Sequence, residues 1–247
     1  MSFRAPRILP VLTVITLTVG FSLVFFWTPN DADQGFIQKI FYLHVPIASC
    51  ALVGFIVAAV QAIMHLRTRE PKWDVRAYVS IHISVIFGVA ALLTGAIWAK
   101  ASWGQWWVWD EPTLVSFLIV FLLYCTYYPL RYAIEDRERQ ARYASVFAVM
   151  AGAFVPLNFI AVRLAETLIH PRVFATSEGG LPPKMMATFL VCFAGMALLW
   201  QTLCTFELAA KSSRARISRL RRALEGDDVV AAGSRIAPVP RQAPEVG

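Results

Sequence analysis

Trp103, Trp106, Trp107 and Trp109 lie within seven residues in the stretch WGQWWVWDEP, which runs on through Asp110. The chain has eight tryptophans in 247 residues, so half of them sit in this one stretch. Indole rings favour the headgroup level of a bilayer, and that preference accounts for one or two of them. Four, with Trp98 just before, form more aromatic surface than anchoring needs, and Gly104 permits a tight backbone path between rings. The stretch reads as a platform for a large, flat, apolar ligand. Asp110 reads as the N-cap of the helix that follows, with Pro112 tolerated in its first turn.

The four histidines divide by depth. His44, in FYLHVPIAS, stands where an outer loop enters an apolar run, and His170, in AETLIHPRV, lies in a later outer loop. Two imidazoles at one face, with the aromatic loop between them in sequence, suit bis-axial ligation of a haem iron. His65 and His82 fall at or near the opposite ends of two adjacent apolar runs, and a second, inner site is their alternative reading beside that of interfacial residues. Haem also carries two propionates, for which Lys100, Arg163, Arg172 and Lys184 are the available outer cations. Cys50, Cys125, Cys192 and Cys204 all fall inside apolar runs without a C-x-x-C, and read as small buried hydrophobes.

The elements that must position these groups are transmembrane helices. Hydrophobic residues make up 57% of the chain and charged ones 16%, with a mean hydropathy of +0.57; an ordinary soluble domain has about 45–50% and about 25%. A spanning helix needs roughly 20 mostly apolar residues, and six such runs occur, at about 8–27, 45–65, 78–98, 113–130, 144–162 and 185–207. The first follows Arg4 and Arg7 but lacks a small-x-small cleavage site, so it reads as a retained anchor. The fold expected is all-α and polytopic, with a six-helix domain over 1–210 and a basic cytoplasmic tail over 211–247. Ile217, Leu220 and Leu224 give that tail the spacing of an interfacial helix, and the segment after Gly226 reads as disordered.

Lys and Arg set the orientation. The N-terminus, the 66–77 and 131–143 loops and the tail together hold 18 of them, and the opposite face holds five. Both termini are therefore expected in the cytoplasm. The net charge of +7 follows from this asymmetry and from contact with anionic lipid, and gives no reason to expect nucleic acid. Paired carboxylates, a nucleophile elbow and a phosphate loop are all absent from the sequence, so an enzyme is not expected and any ATP use belongs to partners.

WGQWWVWD resembles the tryptophan-rich signature of the haem-handling membrane proteins of cytochrome c biogenesis. With GFIQKIFYLHVPIAS as a second local match, and with six spans in a chain of this length, the sequence is similar to the cytochrome c maturation component C family over about residues 8–207. The resemblance implies a multi-pass protein whose site faces outward at the bacterial inner membrane. It also implies transiently bound haem b, an ATP-binding-cassette assembly of components A and B, a small component D, and a haem chaperone, component E, as the acceptor. The tryptophan loop, Trp103 to Asp110 with Gly104, would be the haem platform, and His44 and His170 its axial ligands. The chain departs from the family at DEPTLVS after the signature, and at Leu164 and Ala165, where better-known members carry tryptophan. Two other classes stay open on the residues alone: a haem b anchor subunit of a respiratory complex, and a permease for haem or another amphiphile. Orientation is directly testable. A phosphatase reporter that works only outside the cytoplasm should be active when fused after Gln105 and inactive when fused after Leu224.

Overall fold

The computed structural model describes residues 7–164, 170 and 181–234, with the backbone alone at 161–163 and 225–234. It is all-helical: α1 (Ile8–Phe26), α2 (Phe41–Thr68), α3 (Pro71–Trp103), α4 (Pro112–Cys125), the short α5 (Tyr127–Tyr132), α6 (Arg137–Leu164) and α7 (Pro183–Ser234). A 3₁₀ turn, Phe36–Ile40, leads into α2. Six helices are long and apolar enough to cross a membrane, α4 and α5 together making one of them.

The α2–α3 hairpin is the centre of the bundle. On one flank α7 packs against it and carries α1 on its outside; on the other lies α6, covered by α4 and α5. Small residues let backbones approach closely, as lipid-embedded helices require when no hydrophobic force favours one apolar neighbour over another. A Cβ at Gly54 would stand 2.0 Å from the Ser84 hydroxyl and 2.7 Å from the Trp200 indole nitrogen, and one at Gly152 would stand 2.3 Å from the Ala59 side chain. Polar side chains satisfy one another across the interfaces. Trp200 Nε1 donates to Ser84 Oγ at 3.0 Å, Ser80 Oγ to Gln61 Oε1 at 2.8 Å, and Tyr124 OH to the Phe55 carbonyl at 3.2 Å. Thr13 pairs with Thr202 at 2.8 Å, and Thr28 with Thr188 at 2.7 Å, which fixes the register of α1 on α7.

Three boundaries differ from those expected. α2 begins at Phe41, so His44 sits in its first turn and Pro46 in its second. α3 runs through Trp103, with 33 residues and a length near 50 Å at about 1.5 Å per residue. No breaker stands between Trp98 and Gly104, whose φ of 73° then ends the helix, so Trp98 and Trp103 are helical and only the later tryptophans lie in irregular chain. α7 continues unbroken past Gly226 to Ser234, so Ile217, Leu220 and Leu224 belong to the same helix as the sixth span. One glycine costs a helix only about 1 kcal/mol, and the next proline is Pro238. Residues 235–247 of the expected tail lie outside the described residues.

At the end of the bundle that holds α5 and the start of α3, labelled inner after the expected orientation, Arg131 makes a bidentate pair with Asp74, both bonds 2.7 Å, and also donates to Tyr127 OH at 3.0 Å. The pair is buried and ties the end of α5 to the first turn of α3. Breaking a buried pair by removing one partner leaves an uncompensated charge, worth roughly 3–5 kcal/mol. Arg131→Met should lower unfolding stability by about that amount, followed by circular dichroism in detergent. The double change Asp74→Leu with Arg131→Met should recover most of the loss.

Candidate functional site

An apolar cleft of about 220 Å³ opens at the outer end of the bundle. Its walls come from the first turns of α2 (His44, Val45, Ala48), the last turns of α3 (Leu92, Gly95, Trp98, Trp103), the loop residues Trp106 and Trp107, the start of α4, Asn158 and Phe159 of α6, and His170. The two outer histidines and four of the tryptophans, far apart in sequence, thus share one site.

His44 is oriented by a hydroxyl of α3. Its Nδ1 lies 3.0 Å from Thr94 Oγ1, which also lies 2.8 and 3.1 Å from the Ala90 and Ala91 carbonyls. With the hydroxyl proton given to a carbonyl, Thr94 accepts from the ring, and in that tautomer Nδ1 carries the hydrogen and Nε2 keeps its lone pair. This is how metal-ligating histidines are oriented: a second partner fixes the tautomer and the ring plane. Gly95 completes the seat, since a Cβ there would come within 2.9 Å of the His44 ring.

His170 is placed from the other side. The Trp98 and Trp103 rings meet it edge-on, with centroids 6.0 and 6.2 Å away, and each other at 4.7 Å. Trp98 is itself fixed by donating from Nε1 to Gln34 of the first outer loop at 3.2 Å. The His170 backbone N–H donates to Glu111 Oε2 at 3.2 Å. Glu111 is wholly buried, and its other oxygen accepts from the Thr113 N–H, capping α4.

Not every expected residue enters the cleft. Trp109 is 71% exposed and packs edge-on against Trp107 at 5.9 Å, extending the aromatic surface outward. Gly104 supplies the left-handed turn that ends α3. Asp110 is exposed, and the N-cap role expected of it belongs to Glu111: Pro112 takes the first helical position, which makes the residue before it the cap. Among the candidate propionate cations, Lys100 turns back to the Gly104 carbonyl at 2.8 Å and Lys184 lies over the Trp27 ring at 5.5 Å. The Arg163 side chain, Arg172 and Ala165 lie outside the described residues. The inner histidines have separate surroundings, His65 bonded to Ser145 at 2.8 Å and His82 near Tyr128 at 3.4 Å and stacked on Tyr78.

Thr113 and Asn158, which sequence reading missed, also line the cleft. Trp107 Nε1, Thr113 Oγ1 and Asn158 Oδ1 are buried without a hydrogen-bond partner, and the residues that carry them all line it. Only five such side-chain atoms occur among the described residues, so three in one cleft mark it as a place built for a ligand with polar groups. No signal in the sequence distinguished Thr113 or Asn158 from ordinary helix residues.

The family model described as heme exporter protein C matches residues 1–223. The chain is 36% identical to the heme exporter protein C of Rhodobacter capsulatus over 167 residues, covering 66% of this chain and 69% of that one. It is 32% identical to the heme exporter protein C of Bradyrhizobium diazoefficiens over 218 residues, 87% and 82% of the two chains. The same identity, 32%, holds against that of Escherichia coli (strain K12) over 195 residues, 79% and 78%. A family match running from the first residue through all six spans, with the outer cleft inside it, leads to one conclusion: this chain belongs to the heme exporter protein C family.

Proposed function

We propose that this protein binds haem b at the outer face of the bacterial inner membrane and passes it to the haem chaperone, component E, in cytochrome c maturation, beside ABC components A and B and the small component D. Membership of the family makes it a multi-span, haem-handling membrane protein of cytochrome c biogenesis and not an enzyme. The observation that carries the finer reading is the convergence of His44 and His170 on one tryptophan-lined cleft, with His44 Nε2 left free by the Thr94 bond.

The residues present fit haem. His44 and His170 would hold the iron as its two protein ligands, the indole rings would lie against the flat macrocycle, and the unpartnered polar atoms of Trp107, Thr113 and Asn158 could meet its polar substituents. Trp106 and Trp109, 60% and 71% exposed, offer the surface beside which an acceptor would take it up. Haem supplies the reactive chemistry; the chain orients it, keeps water from one face and fixes the ligand rings.

Absorption spectra of protein purified from haem-replete membranes test the assignment. Wild type should show a six-coordinate, low-spin haem. His44→Ala and His170→Ala should each abolish that signal, and Trp106→Ala with Trp107→Ala should retain haem at least about tenfold less well. No haem in wild type, or unchanged spectra in all variants, would overturn the site.

The seat of His44 gives a second test. Thr94→Val removes the acceptor for Nδ1–H, and loss of such an orienting bond typically costs 10–100-fold in affinity. Haem titration of Thr94→Val should show a loss of about tenfold or more. Gly95→Ala, which drives a methyl group into the His44 ring, should lower the six-coordinate fraction with helix content unchanged.

A further inference from the structure

Glu111 stands in DEPTLVS, directly after the tryptophan stretch, and it is 0% exposed. Burying a carboxylate is costly unless its oxygens are hydrogen-bonded. Here Oε1 accepts from the Thr113 N–H at 3.4 Å, in the first turn of α4, and Oε2 accepts from the His170 N–H at 3.2 Å, across 59 residues of sequence. Both oxygens thus accept a backbone N–H, one from the helix that Glu111 caps and one from His170. Pro112 confines its predecessor to extended backbone, and Glu111 has φ −86° and ψ 109°, which holds the carboxylate at the helix mouth. Asp110, its neighbour, faces solvent.

We propose that Glu111 is a positioning residue for the second axial ligand: its buried carboxylate docks the His170 backbone onto the start of α4, so that the ring enters the cleft between Trp98 and Trp103. The proposal rests on the reading of the cleft as a haem site. A simple cap for α4 requires only the Thr113 bond; the second oxygen reaches the His170 N–H across 59 residues of sequence.

The test uses the full-length protein in detergent, titrated with ferric haem, for wild type, Glu111→Gln, Glu111→Ala and His170→Ala. Glu111→Ala should reproduce the loss of low-spin signal seen in His170→Ala and bind haem at least tenfold more weakly. Glu111→Gln, which keeps an acceptor oxygen for the His170 N–H, should recover most of the low-spin signal and of the affinity. A wild-type spectrum in Glu111→Ala, or a folded Glu111→Gln protein that loses the low-spin signal as fully as His170→Ala, would overturn the proposal; the glutamine variant decides the matter should the alanine variant fail to fold. Wild type without a six-coordinate signal, or a His170→Ala spectrum identical to wild type, would instead remove the haem reading on which this rests.

Discussion

Helices α2 and α3 run antiparallel against each other, and their register is set from end to end by side chains that admit little adjustment. Gln61 meets Ser80 near the inner end, Gly54 yields its space to Ser84 in the middle, and His44 meets Thr94 and Gly95 at the outer end. A slip of one residue would break all three contacts together. In a bilayer there is no water to satisfy the freed hydroxyls, amide and ring, so the penalty for slipping is several lost hydrogen bonds at once. The placement of His44 is thus a property of the whole hairpin, and the remaining helices are arranged around it: α7 docks its Trp200 indole on Ser84, and α6 fits Gly152 against Ala59.

The two ends of the bundle use polarity in opposite ways. At the inner end Asp74, Arg131 and Tyr127 satisfy one another, and His65 has Ser145, a closed arrangement that holds elements together. At the outer end three polar atoms face a common space without partners, and His44 has one nitrogen bonded and one free. Unfilled bonding capacity is destabilising for the fold. Its concentration beside the indoles separates a surface for a ligand from an interface between helices.

Much of this was legible in the sequence because it depends on composition and period. Six apolar runs gave six helices, and the rarity of tryptophan and histidine made the clusters stand out. What escaped had physical reasons. Thr94, Gly95 and Asn158 lie inside apolar runs, where a small or polar residue reads as one more helix position, and their roles exist only across helix interfaces. Hydropathy ends the third run at about residue 98, whereas helix propensity carries α3 on through Trp103, since neither glycine nor proline stands between Trp98 and Gly104. Aspartate is the better capping residue, which favours Asp110; the position of Pro112 is the stronger indication, since a proline at the first helical residue makes its predecessor, Glu111, the cap.

The pairing of Thr13 with Thr202 and of Thr28 with Thr188 places Ile8, the inner end of α1, level with about residue 207 of α7. α7 then continues to Ser234, and at about 1.5 Å per residue Leu220 lies roughly 20 Å beyond that level. Electrostatic influence in physiological salt decays over about 8 Å. The arginines at 219, 221 and 222 are thereby carried well clear of the level at which α1 begins, whereas a helix that turned aside after the sixth span would keep them near it. Continuity of one helix thus separates its basic end from any charge at the start of α1 by more than the screening distance.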